Sequence, residues 1–196
     1  MIDKSLSNPA LSSYRSTVCS GLYGQVVELG FGSGLNIGHY PPAVERVAAI
    51  EPSDTAWELS AGRRDSSPVP IERQGRDAQS LPCGDGSVDA ILSTFTLCTI
   101  PDPVAALREV RRVLRRGGTF AFLEHGRSPD RAVAGWQKVI GPLNTRFAGG
   151  CHLGRQIDRL IADAGLTLVT GDAGYLDVSA PKSQRYGFVG TARKDG

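Results

Sequence analysis

Apolar residues in this chain follow two rhythms: short unbroken runs, and longer stretches with an apolar position every third or fourth residue. The runs at Gln25–Leu29, Val47–Ile50, Val69–Arg73, Val88–Leu92, Thr119–Leu123, Leu166–Thr170 and Tyr186–Ala192 predict strands. Helical spacing fills most gaps between them. Residues 9–22 place Leu11, Tyr14, Val18 and Leu22 on one side. Ser53 is an N-cap and Asp54 suits the first turn of a helix reaching Gly62, with a polar turn over residues 63–68. Asp102 caps another helix, and Pro103 takes its first position, where a missing N–H costs nothing. That helix has an apolar stripe of Val104, Leu107, Val110 and Leu114, and Gly117-Gly118 is its predicted end. Arg108, Arg111, Arg112, Arg115 and Arg116 lie mostly off the stripe and read as a solvated face. Residues 129–148 read as helix and then loop, and Ile157, Leu160, Ile161 and Ala164 mark a last helix closed by Gly165.

Strands alternating with capped helices predict an α/β fold: one Rossmann-like, doubly wound, seven-stranded, mostly parallel sheet with helices on both faces. The last two strands have no helical pattern between them, which predicts an antiparallel pair at one edge. One domain is expected over residues 1–196. Its parts would be an N-terminal helical segment (1–24), a cofactor-binding half (25–125), a substrate lid (126–152), and a C-terminal helix with a strand pair (153–196).

Composition narrows the function. A formal net charge of +2 gives no general field for nucleic acid. No apolar run approaches the roughly 20 residues of a membrane span, and MIDKSLSNPALSSYRS has no secretory core, so a cytoplasmic protein is expected. Cys19, Cys83, Cys98 and Cys151 are scattered without a CxxC, which reads as free thiols and no metal site.

The candidate chemistry centres on VVELGFGSGLN, residues 26–36. Glycines after a first strand let the backbone approach a ligand and expose N–H groups. The dinucleotide spacing G-x-G-x-x-G does not close from Gly30 or from Gly32, because Leu35 and Ile37 take the third place. The pattern present is E-x-G-x-G-x-G: Glu28, Gly30, Gly32 and Gly34. A carboxylate at the strand tip repels a pyrophosphate and favours a cationic ligand such as S-adenosylmethionine. Glu51 ends the second strand 21 positions after Gly30, near the spacing of a carboxylate that accepts from ribose hydroxyls. Asp77 and the Ala78 N–H, in GRDAQSLP, could meet an adenine ring; alone, the Asp would be only an Asx-turn.

These segments, with AAIEPSD, GRDAQSLPCGDGSVDAI and LREVRRVLRRGG, resemble the class I S-adenosylmethionine-dependent methyltransferases of the type 11 group over most of residues 25–124. The resemblance implies S-adenosylmethionine as cofactor. It implies cofactor contacts from Glu28, Gly30, Phe31, Gly32, Gly34, Asn36, Glu51, Pro52, Ser53, Asp77 and Ala78, with Ser93, Thr94 and Phe95 on the methionine side. GLNIGHYPP, TLCTIPDP, FLEHGRSPD and AGGCHLGR are similar to a narrower group whose animal members are membrane-associated thiol S-methyltransferases. Phe31 stands where that group often has Cys. No hydrophobic anchor is visible at the N-terminus, so only peripheral membrane contact is left open.

The expected acceptor is a small, lipophilic molecule bearing a thiol, phenol or quinol. His125 and His152 are the candidate proton acceptors; Glu124 and His39 are weaker ones. His125 could equally be a hydrogen-bonded structural residue. Cys98 and Cys151 read as packing residues, since displacement by an external acceptor needs no enzyme thiol. Trp136, Ile140, Leu143 and Phe147 would line a lid, or else face the core. The alternatives are a nicotinamide-dependent oxidoreductase and a non-catalytic S-adenosylmethionine-binding module.

Overall fold

In a computed structural model, which describes residues 6–147 and 150–195, seven strands form one sheet. They are β1 (Gly24–Leu29), β2 (Val44–Ile50), β3 (Ile71–Gly75), β4 (Val88–Thr94), β5 (Leu114–His125), β6 (Thr167–Tyr175) and β7 (Tyr186–Arg193). The sheet order is β3-β2-β1-β4-β5-β7-β6. β1 to β5 pair in parallel with one another. β7 is antiparallel to both β5 and β6, so the antiparallel strand lies one place in from the edge that β6 forms. Among the described residues there are six α-helices: α1 (Ser12–Cys19), α2 (Asp54–Leu59), α3 (Ala61–Asp65), α4 (Pro103–Val113), α5 (Arg131–Phe147) and α6 (Ile157–Asp163). Among the described residues, no helix is long and apolar enough to cross a membrane.

Strand alternation splits the core into two layers. Val27, Leu29, Ile91, Phe120 and Phe122 point to the face covered by α4 and α6. Val26, Leu92, Ala121 and Leu123 point to the other face, against Val18, Cys19 and Leu22 of the N-terminal segment. This period of two decides where Glu28 goes: it shares parity with Val26, so its carboxylate faces the α1 layer.

Several boundaries differ from the sequence reading, each for a local reason. The N-terminal helix is shorter than 9–22: Pro9–Leu11 is a single 3-10 turn, capped by Asn8 Oδ1, which accepts from Ala10 N. β3 starts at Ile71, two residues later than expected. Pro70 has no N–H to give the sheet, though its carbonyl accepts from Val47 N at 2.9 Å. Ser53 does cap α2, its hydroxyl accepting from Ala56 N, but the helix breaks at Ser60 and restarts at Ala61 as α3, which runs on into the expected turn.

α4 has the predicted start, with Asp102 Oδ1 accepting from Val104 N and Ala105 N, both at 3.0 Å. It ends at Val113, and Leu114 passes directly into β5 without waiting for Gly117-Gly118. Lys194 at the end of β7 makes this abrupt exit tolerable: its Nζ donates to the carbonyls of Arg112 and Leu114.

Leu107 is fully buried in the α4 layer, whereas Arg108 beside it is exposed. Leu107→Ala is expected to lower the unfolding free energy by about 2–5 kcal/mol. Arg108→Ala should shift it by less than about 0.5 kcal/mol. Urea denaturation followed by circular dichroism compares the two.

Candidate functional site

The strand order reverses between β1 and β4, and a cleft opens outside their carboxyl ends. Two adjoining cavities make it up, one of about 360 Å³ around Gly32, Asn36 and Arg15, the other of about 540 Å³ around Asp77, Ala78 and Phe95. They share Leu6, Gly30, Glu51 and Thr94.

The glycine segment turns tightly under the first cavity. Gly30 has φ +64°, and a Cβ there would overlap the Thr96 side chain. Gly32 has φ +59°, lines the cavity, and an added Cβ would meet nothing nearer than Gly30 O at 3.8 Å. Side chains are therefore excluded at Gly30 by crowding and at Gly32 by backbone conformation, which leaves bare backbone facing the cavity.

Glu51 organises this loop. Its Oε2 accepts from Gly32 N at 2.6 Å and its Oε1 from Ser53 N at 2.8 Å. The side chain is only 5% exposed, yet it borders both cavities. Each carboxylate oxygen retains lone-pair capacity for a further donor. Asp77 lies at the far end of the second cavity, where its Oδ1 accepts from Gln79 N at 2.8 Å in an Asx-turn. Ala78 and Pro52 border the same cavity, and Ser53 and Phe31 border the first. Gly34 lines neither; its φ of +78° closes the turn behind Phe31.

Glu28 sits behind this wall and does not line either cavity. It is 1% exposed and accepts from Asn36 Nδ2 at 2.8 Å and from the Tyr40 hydroxyl. Asn36 in turn accepts at Oδ1 from Arg15 at 2.7 Å. One amide thus bridges a buried cation and a buried carboxylate, and only Asn36 and Arg15 of the three reach the cavity. Burial pushes the Glu28 carboxyl up to about 7 against the opposing pull of Tyr40, Asn36 and Arg15. Burial likewise lowers Arg15 from its ordinary value.

Arg15 was not singled out in the sequence, although a signal is there. It falls in phase with Leu11, Val18 and Leu22, a charged residue on an apolar stripe, and it is 4% exposed. Leu6 was also missed: it borders both cavities, so the N-terminal segment forms part of the cleft wall. None of the described residues in 126–152, the expected lid, lines either cavity. On α5, Trp136, Val139 and Leu143 are exposed, and Ile140 packs against Cys98, Cys151 and Leu153. The Phe147 side chain, with Ala148 and Gly149, lies outside the described residues.

After β4 the expected residues diverge. Thr94 and Phe95 line the cleft, and Phe95 holds φ +54°, a costly conformation for an aromatic residue. Ser93 is fully buried and faces away, donating to Glu124 Oε1 at 2.7 Å. Glu124 also accepts from Thr96 N at 3.0 Å and Cys98 N at 3.3 Å, so it anchors the loop after β4; it is fully buried and lines neither cavity. Burial raises its carboxyl from the ordinary range. The His39 ring is paired with the Ser16 hydroxyl at 2.9 Å. His152 is exposed, and its backbone N–H donates to Cys98 O at 2.7 Å. His125 is half-buried, its ring centroid 4.6 Å from that of Phe95 and its Nδ1 3.9 Å from Cys151 Sγ. The cysteines that looked scattered are therefore not all apart: Cys98 and Cys151 meet beside His125.

Residues 27–122 match the family described as "Methyltransferase domain". Human thiol S-methyltransferase TMT1B is 36% identical over 145 residues, 70% of this chain and 58% of that protein. Phosphatidylethanolamine N-methyltransferase of Cereibacter sphaeroides is 28% identical over 152 residues, 74% of this chain and 71% of that one. A geranyl diphosphate methyltransferase solved with S-adenosylmethionine superposes with a TM-score of 0.70 at 15% identity, over 96% of this chain and 85% of that one, a likeness of fold. The chain spans little more than half the length of the thiol S-methyltransferases it matches.

The raised Glu28 carboxyl has a thermodynamic signature. Between its unfolded value near 4.5 and its folded value of about 7, the folded state holds the proton more tightly. This contribution to stability is present below that window and is lost as pH rises through it. Glu28→Gln should therefore gain on the wild type between pH 5 and pH 8, by an amount on the order of 3 kcal/mol. Urea unfolding of both proteins at the two pH values measures it; a difference independent of pH would refute the assignment.

Proposed function

The chain belongs, through residues 27–122, to the class I S-adenosylmethionine-dependent methyltransferases, and from that premise we propose that it methylates a small, lipophilic molecule bearing a thiol, phenol or quinol. The observation that carries this is the Glu51 carboxylate, buried at the junction of two cavities and already holding the Gly32 backbone in place.

The residues fit the cofactor. The amino-acid end of the cofactor suits the first cavity, where Gly32 offers bare backbone, Glu51 can meet a positive group and the Arg15 guanidinium can meet a carboxylate. Ribose hydroxyls suit Glu51 as acceptor, and an adenine ring suits the second cavity, between Ile50, Pro52 and Ile100, with Asp77 and the Ala78 backbone at its rim. S-adenosylmethionine, when bound, supplies a methyl group already activated by the sulfonium charge. The chain's own work is to position, to exclude water and, for some acceptors, to take a proton.

Sulfur is the favoured acceptor atom among the three classes. A thiol has an ordinary pKa near 8.5, so it reaches the thiolate with little help, and among the relatives TMT1B is named for that chemistry. A phenol or quinol needs a stronger base; His125, whose ring packs on the cleft residue Phe95, and the exposed His152 are the candidates for that role. The exposed apolar face of α5, with Trp136, Val139 and Leu143, gives a lipophilic acceptor or a membrane surface something to meet.

Glu51→Ala should weaken S-adenosylmethionine binding by roughly 10- to 100-fold, the loss of a charge-assisted hydrogen bond. Calorimetric titration measures it, with Glu51→Gln as the variant that retains the loop contacts in part. Incubation with methyl-labelled donor and a panel of thiols, phenols and quinols should give labelled product from a thiol first. Good cofactor binding with no transfer to any of them would overturn the enzymatic reading, and unchanged affinity in Glu51→Ala would overturn the ribose assignment.

A further inference from the structure

Beside the cleft, three side chains with soft donor atoms converge from separate parts of the chain. Cys98 lies in the loop after β4, His125 ends β5, and Cys151 precedes α6. Their ligand atoms all lie within 4.8 Å of one another. His125 Nδ1 and Cys151 Sγ are 3.9 Å apart. A tetrahedral zinc ion, with Zn–S of about 2.3 Å and Zn–N of about 2.0 Å, would set sulfur and nitrogen ligands about 3.5 Å apart and two sulfurs about 3.8 Å apart. The triangle is slightly wider than a loaded site, a gap that small side-chain rotations close.

We propose that Cys98, His125 and Cys151 form a binding site for a soft divalent cation of the zinc class, with the fourth position left to a donor from solution. The donor set is the reason for the metal class. Two sulfurs and an imidazole suit zinc and its neighbours, whereas magnesium and calcium take oxygen ligands. The carboxylate in the vicinity, Glu124, is occupied with Ser93 and the backbone of the loop after β4.

The positions of the ligands are held from outside the triangle. Cys98 is fixed at its N–H by Glu124 and at its carbonyl by His152 N. The His125 ring packs at a tilt of 41° against Phe95, their centroids 4.6 Å apart. Leu153 and Ile140 close an apolar side over the two sulfurs, while the half-buried His125 leaves a way in. A bound ion would make His125 a ligand, and its nitrogen would then be unavailable as a proton acceptor.

Cobalt(II) is the probe, because thiolate coordination gives it a charge-transfer absorption. The reduced, full-length protein should bind one equivalent with that band, and zinc(II) should displace it. Cys98→Ser and Cys151→Ser should each abolish the thiolate band or halve its intensity, and His125→Gln should weaken binding by at least about tenfold. Cys83→Ser, away from the cluster, should leave it unchanged. Circular dichroism and S-adenosylmethionine calorimetry on the same samples report folding and the cofactor site separately, so either reading can fail alone.

A missing band in folded protein, or one that survives in the Cys98→Ser/Cys151→Ser double variant, would overturn the proposal. So would loss of two titratable thiols to a Cys98–Cys151 disulfide without metal uptake after reduction.

Discussion

A parallel sheet ends all its strands on one side, and what the chain places at those ends decides what it can bind. Here the edge of β1 and β2 carries two buried carboxylates, Glu28 and Glu51, around a turn whose glycines hold left-handed backbone. A carboxylate taken out of water is expensive unless donors surround it. The two are supplied differently. Glu51 takes backbone N–H groups from Gly32 and Ser53 and so locks the loop to the start of α2. Glu28 takes side-chain donors, Asn36 and Tyr40, and through Asn36 it is coupled to Arg15 on the N-terminal helix. The turn, the second strand and the N-terminal segment therefore depend on two acids that contribute nothing to the apolar core.

That arrangement is costly in several small ways. Glu28 is held with a raised affinity for its proton, Arg15 with a lowered one, and Phe95 in a conformation unusual for its type. A chain optimised for stability alone would place an apolar residue at 28 and remove Arg15 with it. Local conflicts of this kind concentrate at functional sites. All of them lie within or directly behind one cleft, and the rest of the sheet follows ordinary alternation.

The fold was legible because it rests on short-range regularities. Seven apolar runs, the Asp102-Pro103 start and the Gly165 stop each follow from neighbours in sequence, and the structure has each of them. What the chain did not show locally were contacts made at a distance. Lys194 ends α4 early from 80 residues away. Ser93, next to two cleft residues, is turned to Glu124 by the alternation of its strand. Arg15 was readable as a charge in an apolar stripe, but its partner, Asn36, lies beyond a strand. The exposure of Trp136, Val139 and Leu143 could not be read from spacing, because a core stripe and a solvent-facing one have the same period.

The cysteines carry the same lesson furthest. Metal sites are recognised in sequence by close spacing, since two ligands on one turn need few residues between them. Cys98, His125 and Cys151 have no such spacing, and in an extended chain nothing relates them. A parallel sheet relates them through its topology. Adjacent strands deliver the loop after β4 and the end of β5 to the same edge, and the segment entering α6 returns across it. The same geometry that gathers a cofactor cleft from separate strand ends gathers a second set of donors next to it. In a sheet of this kind, side chains far apart in sequence meet wherever their strands end together.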